Sequence, residues 1–156
     1  MEGFDLIYFL KIVLSGTMGT LGFSILFRVN KKRILCNCIG GAITSALYVF
    51  CCLFTEDMFW QNFFPALLAT AFAETMARFL KAPTTPILAC SIIPLVPGSK
   101  LYYTTYYFVV DEMDKFDATF TETLNIAAGL AVGIICVSDI VNEINRHKFR
   151  QILDVD

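Results

Sequence analysis

Uncharged apolar stretches alternate with short charged clusters along this chain. Residues 12–27, 34–55, 58–73, 82–99, 101–110 and 123–138 contain no Asp, Glu, Lys or Arg. A transmembrane helix needs about 20 mostly apolar residues. Extended to their natural ends, the stretches predict spans at about 6–28, 34–55, 58–80, 84–110 and 119–141. The second, ILCNCIGGAITSALYVFCCLFT, is the cleanest, with 22 residues free of charge. The fourth is too long for one straight crossing and has Pro94, Pro97 and Gly98 at its middle. A proline removes a backbone donor and clashes with the preceding turn, so this cluster is expected to open the helix. The predicted fold is all-α, a bundle of five transmembrane helices. It forms one domain over residues 1–156, with the fourth span broken at Pro94–Gly98 and a cytoplasmic tail at 142–156.

Composition sharpens this. Of 156 residues, 56% are hydrophobic and 17% charged, with a mean hydropathy of +0.64. A soluble domain runs near ~45–50% apolar and ~25% charged. A chain this short cannot bury so much apolar surface in one core, so the lipid bilayer is the expected partner. The same balance excludes a disordered chain and a secreted disulfide scaffold. A net charge of −2 speaks against nucleic acid as a partner.

The positions of the charges predict orientation, because Lys and Arg in short loops favour the cytoplasm. Arg28, Lys31, Lys32 and Arg33 follow the first span, Arg78 and Lys81 close the third, and Arg146, Lys148 and Arg150 lie in the tail. These are nine of the twelve basic residues. Glu2, Asp5, Glu56, Asp57 and the run DEMDKFD at 111–117 fall on the other side. Five spans, N-terminus outside and C-terminus inside, place all nine basic residues on one face. The start, MEGFDL, lacks a basic n-region, so the first span is expected to be retained rather than cleaved.

Small residues mark the expected helix contacts. They include Gly16, Gly19 and Gly22 in the first span, and Gly40, Gly41 and Ser45 in the second. Ala69, Ala73 and Ala77 are spaced by fours in the third, and Gly129 and Gly133 form a GxxxG pair in the fifth. Cys36, Cys38, Cys51, Cys52, Cys90 and Cys136 all lie in apolar spans, without zinc-site spacing, and the only histidine is His147. They read as small buried hydrophobes. No metal, cofactor or catalytic residue is expected. HExxH, GxSxG and GxxxxGK[ST] do not occur, and enzyme chemistry is not expected.

The break is where binding chemistry is expected. A helix restarting near Ser99 exposes free N–H groups and the positive end of its dipole, the device with which many transporters hold an anionic group near the midplane. Lys100 adds a cation there, although a side chain snorkelling to an interface reads equally simply. Pro94, Pro97, Gly98, Ser99, Lys100 and Tyr102 are therefore the candidate substrate-binding residues, with Thr104 or Thr105 placed for a pocket beside Tyr102. Tyr106 and Tyr107 fit an aromatic belt. Ionisable groups inside spans are candidates for ion or proton coupling: Glu74, Arg78 and Asp139. Glu74 and Arg78, spaced i, i+4, also read as a structural ion pair. Lys11, Asn125 and Ser138 have simpler roles as interfacial or packing residues.

The segment SIIPLVPGSKLYYTTY, preceded by KAPTTPILAC, resembles the signature of the threonine/serine exporter family, specifically its smaller, C-terminal-type half. The matching positions are Pro83, Pro86, Ile93, Pro94, Pro97, Gly98 and Tyr102, and GFSILFRVNKKRIL resembles the block at the family's first span. The resemblance covers about residues 5–145. It implies gradient-linked export of a small carboxylate-bearing metabolite, threonine or serine or a dicarboxylate such as succinate, across the cell membrane of a bacterium. It also implies a separately encoded larger companion subunit, because fused members carry another five-span half. Two five-span halves of opposite orientation form the pattern of inverted repeats. The residues leave two other readings open: a non-transporting assembly or regulatory subunit, and a passive channel. A homo-oligomer is also compatible.

Overall fold

The computed structural model describes residues 6–153, with backbone only at Lys32 and at 147–153. Glu2 and Asp5, and the side chains of Lys32, His147, Lys148 and Arg150, lie outside the described residues. Among the described residues the chain is entirely helical. Its elements are α1 (Leu6–Leu26), α2 (Lys31–Phe54), α3 (Met58–Phe79), α4 (Thr84–Ile92), a 3-10 turn (Ile93–Leu95), α5 (Gly98–Val109) and α6 (Met113–Leu153).

Three helices, α1, α2 and α6, are long and apolar enough to cross a membrane. Helix α3 has 22 residues, about 33 Å at 1.5 Å per residue, but Gln61, Asn62, Glu74 and Arg78 dilute its apolar character. The predicted fourth span is interrupted where the prolines and glycine fall. Pro94 sits in the 3-10 turn, and Val96, whose ψ is 125°, is pushed into extended backbone by the following Pro97. The predicted fifth span is part of a longer element. Helix α6 starts at Met113, six residues before the expected 119, and runs through 142–153, so the tail continues the helix. Apolarity ends where lipid ends, but charged residues such as Asp114, Lys115 and Glu143 do not stop helical hydrogen bonding.

Three helices close on non-glycine residues in left-handed conformation: Arg28 (φ 52°), Lys81 (φ 47°) and Asp111 (φ 60°). Each is followed by a 6→1 bond typical of a Schellman closure: Val29 N to Ser24 O (3.0 Å), Ala82 N to Ala77 O (2.9 Å) and Glu112 N to Tyr107 O (3.0 Å). Helix α3 opens on Asp57, whose carboxylate accepts the Phe59 N–H at 2.9 Å.

Helices α2 and α3 form the centre. Helix α1 leans on α2, α4 lies between α2 and α3, α6 packs along α3, and α5 packs on α6. The interior is built from small and polar residues. Thr20, Ser24, Asn37, Thr44, Ser45, Thr70 and Ser91 are all at most 1% exposed. Met18, Phe54, Phe79 and Val109 are 74–77% exposed. This inverted distribution suits a lipid surround, where close backbone approach replaces hydrophobic drive. The buried hydroxyls satisfy themselves on the preceding turn, as when Thr44 donates to Gly40 O and Ser91 to Ile87 O, each at 2.8 Å. The expected small-residue contacts are present. A Cβ at Gly129 would stand 2.5 Å from the Phe59 carbonyl oxygen, and one at Gly133 2.7 Å from that of Phe63. Gly16 abuts Ser45 and Pro94, whereas Gly22 has nothing within 4 Å. Ala73 and Ala77 pack with Ile87 of α4.

Candidate functional site

The helix break does more than bend a span. Helix α4 belongs to the α2–α3 cleft and α5 to α6, so the chain must cross between them at Ile93–Pro97. The crossing leaves a cavity of about 230 Å³. Pro94–Pro97, Ser99 and Lys100 form one wall, Tyr48 of α2 and Met58, Gln61 and Asn62 of α3 the opposite one, and Ile126 of α6 closes it. Gln61 and Asn62 lie four and five residues past the N-cap Asp57, about 6–8 Å along the axis. The cavity therefore belongs to the half of the bundle nearer Glu56 and Asp57.

Lys100 is the one charged residue in the lining. At the start of α5 the Gly98 N–H donates to Val96 O (2.8 Å) and the Leu101 N–H to Pro97 O (2.9 Å). The Ser99 and Lys100 N–H groups between them are the orphan donors of a helix start, beside the ammonium. The amide side chains opposite are tied by their nitrogens: Gln61 Nε2 donates to Thr55 O and Asn62 Nδ2 to Met58 O, each at 2.8 Å. A carbonyl partner fixes which end of each amide faces it, and beyond that bond each amide keeps its acceptor oxygen and a second N–H. The break thus brings a cation and free N–H groups to the cavity, while α3 brings amides able to accept as well as donate. Tyr48 of α2 completes that side of the lining.

Lys100 is also held from behind. Its Nζ pairs with Glu122 Oε2 of α6 at 2.5 Å, with side chains 38% and 36% exposed. Beside this pair the Thr104 and Thr123 hydroxyls meet at 3.3 Å, and Thr104 also donates to Lys100 O at 2.8 Å.

Tyr48 and Pro94 also line a second cavity, of about 510 Å³, between α1 and α2 with Tyr8, Lys11 and Ser15. These two residues form a partition between the spaces, with Lys11 on one side and Lys100 on the other. Pro94, Pro97, Ser99 and Lys100 are thus brought together on the smaller cavity. Gly98 is exposed, and a Cβ there would meet nothing within 4 Å. Tyr102 is 65% exposed and stacks on Tyr106 outside the cavity, with ring centroids 6.5 Å apart. Thr104 is buried against α6, and Thr105 is exposed. Tyr107 carries Lys115 over its ring at 5.5 Å.

The expected coupling residues stand elsewhere. Glu74 is 12 residues beyond Asn62 on α3, about 18 Å away along the axis. It lines a groove between α3 and α6 with Arg78, Val137 and Val141. Arg78 donates to Asn145 Oδ1 at 3.1 Å, and no Glu74–Arg78 ion pair forms among the described residues. Asp139 is exposed on α6, 13 residues past Ile126 and about 20 Å from it along the axis.

Gln61, Asn62, Tyr48 and Glu122 are the site residues that sequence reasoning missed. The adjacent amides of QN at 61–62, inside an otherwise apolar stretch, are a signal that was available. Glu122 is an ionisable residue inside the expected span at 119–141, but nothing in the sequence pairs it with Lys100, 22 residues away.

No curated protein and no solved structure matches the chain. A family model described as Threonine/Serine exporter, ThrE, matches residues 12–140. That match spans the first helix through α6, including the broken segment and every wall of the smaller cavity, and the chain belongs to the threonine/serine exporter family.

Proposed function

We propose that this chain is one half of a secondary exporter that moves a small amino acid, threonine or serine, out of the cell. The observation that carries the reading is the division of the cavity walls. A zwitterion presents a carboxylate to Lys100 and to the Ser99 and Lys100 N–H groups, and its ammonium to Gln61 Oε1 and Asn62 Oδ1. A dicarboxylate such as succinate would find a single cation, Lys100, in this lining where it needs two. The nearest additional lysine on a cavity wall, Lys11, stands beyond the Tyr48–Pro94 partition. A volume of about 230 Å³ is below the ~300–1,000 Å³ of sites for drug-sized ligands, which favours a small metabolite. The proposed role is transport alone, without enzyme chemistry.

The topology we propose is five crossings, with α4, the break and α5 forming the fourth, N-terminus outside and C-terminus inside. What supports it is the gathering of Arg28, Arg33, Lys81 and Arg146 at one set of helix ends and of Glu56, Asp57, Asp111 and Glu112 at the other. We further propose a separately encoded larger subunit of the same family in the cell membrane. Few helices surround the cavity, and α5 is held along α6 alone, so a second subunit is needed to seal the path. The test is efflux from cells loaded with labelled threonine, serine or succinate, expressing this chain, the larger subunit, or both. Threonine or serine export only with both chains, with KM raised in Lys100→Met, supports the reading. Export by the larger chain alone reduces this one to an accessory subunit. Export that never saturates makes the pair a channel.

A further inference from the structure

We propose that Glu122 is the resident counter-ion of Lys100: it occupies the ammonium when the cavity is empty and yields it to the carboxylate of an arriving substrate. The inference rests on the reading that Lys100 receives that carboxylate.

The geometry points this way because Lys100 stands between two places. It lines the cavity, whereas Glu122 does not. Glu122 reaches the ammonium from α6, one helical turn before Ile126, which does line it. Leaving a lysine uncompensated in an apolar bundle is costly, so an empty site needs an internal anion. A bound substrate supplies its own. The ammonium has three donors, but Glu122 holds it from α6 without lining the cavity, so drawing Nζ towards a ligand lengthens its bond to α6. The exchange has a mechanical consequence. Helix α5 packs on α6 and on no other helix to a comparable extent. At this level the ion pair and the Thr104–Thr123 contact are its polar ties. Giving up the ion pair leaves α5 held by apolar contact and one hydroxyl pair, so occupancy of the cavity loosens α5 on α6. Glu122 is in this sense a positioning and specificity-setting residue. It admits ligands that bring an anion able to replace it and turns away neutral ones.

Competition from an internal anion weakens apparent affinity by the fraction of time the ammonium is taken. For a pair that is one-third exposed, worth up to about 1 kcal/mol, the factor is at most about 5. Saturable export of labelled threonine, measured with this chain and its larger subunit together, separates the alternatives. Glu122→Gln is expected to lower KM about 2–5-fold and also to lower the maximal rate, because nothing displaces the carboxylate at release. In a Lys100→Met background the same substitution is expected to leave KM unchanged. Glu122→Asp, whose carboxylate reaches less far, is expected to lower KM by a smaller factor. It serves as the second variant if the glutamine protein does not reach the membrane. A lower maximal rate with KM unchanged or raised in Glu122→Gln, while Lys100→Met raises KM, makes Glu122 a mere brace and overturns the proposal with the Lys100 reading intact. If Lys100→Met leaves KM unchanged, or the wild-type pair exports no threonine, the underlying reading falls and this inference with it.

Discussion

Gly129→Ala is the substitution whose outcome most directly tests how the cavity is held open. The added Cβ would lie 2.5 Å from the Phe59 carbonyl oxygen and 3.3 Å from both Phe59 C and Phe63 N. All three are backbone atoms of α3, so no rotamer change relieves the clash. Reaching ordinary contact at 3.4 Å requires α6 and α3 to part by about 0.9 Å at that point. A gap of that size forfeits a quarter to a half of the dispersion energy of the contacts it opens. Overpacking of this kind costs roughly 1–3 kcal/mol. The same interface carries Gln61 and Asn62 just beyond Phe59, and Ile126 three residues before Gly129, so the separation also moves the cavity walls apart.

The assay is unfolding of the purified chain in mixed micelles titrated with SDS, together with export by the proposed complex with a larger subunit. Gly22→Ala is the internal control, because a Cβ there meets nothing within 4 Å and alanine is the better helix former by roughly 1 kcal/mol. Gly22→Ala is expected to be neutral or stabilising, and Gly129→Ala to lose roughly 1–3 kcal/mol and to raise KM for threonine. Equal stability of the two variants would refute the close α3–α6 approach and, with it, the placement of Gln61 and Asn62 opposite Lys100.

Four further outcomes are expected. Pro94→Ala restores a backbone donor and removes the ring shared by both cavities, so efflux should fall to background at an unchanged membrane level. Gly98→Ala, which adds a methyl group in open space, should export normally. Asn62→Leu deletes one of the two acceptor carbonyls and should cost roughly 1–3 kcal/mol of binding for threonine, read as a rise in KM with a relative gain for succinate in competition. Lys81→Gly relieves a left-handed lysine with φ 47° and should raise SDS resistance by about 1 kcal/mol, with transport unaffected.

Much of this architecture was legible in the charge gaps, for a simple reason. Lipid penalises charge so strongly that the start of α1, α3 and α4 and the end of α5 fall within a residue of the expected spans. The proline break was legible because a missing N–H acts locally, whatever surrounds it. What could not be read depended on rotation and on distant chain. Tyr102 precedes Thr104 by only two residues, yet α5 turns Thr104 into α6 and leaves Tyr102 outside. The expected Glu74–Arg78 pairing failed because α6 continues past the apolar region and brings Asn145 to the guanidinium. Ending the helix at 141 hid that partner. Glu122 falls inside the expected span at 119–141 without being singled out there, and only the α5–α6 hairpin folds it onto Lys100.

The break and the inverted core follow from one constraint. Without hydrophobic drive, helices approach closely only where small residues permit, and this chain offers two such seams. Gly16, Gly40 and Gly41 draw α1, α2 and α4 together, and Gly129 and Gly133 seat α6 on α3. A straight fourth helix would stay in the α2–α3 cleft, where its first part is fixed by Ser91 beside Gly40 and by Ile87 against Ala73 and Ala77. The prolines release the upper half to join the second seam through α6. The released backbone has to be shielded from lipid, since unpaired N–H groups are tolerated only inside protein or beside a polar cavity. Gln61, Asn62 and Tyr48 provide that polar lining, and Lys100 arrives with its counter-ion already in place. The polar site is therefore the condition under which the fourth segment can serve both seams, and its removal should cost folding as well as export.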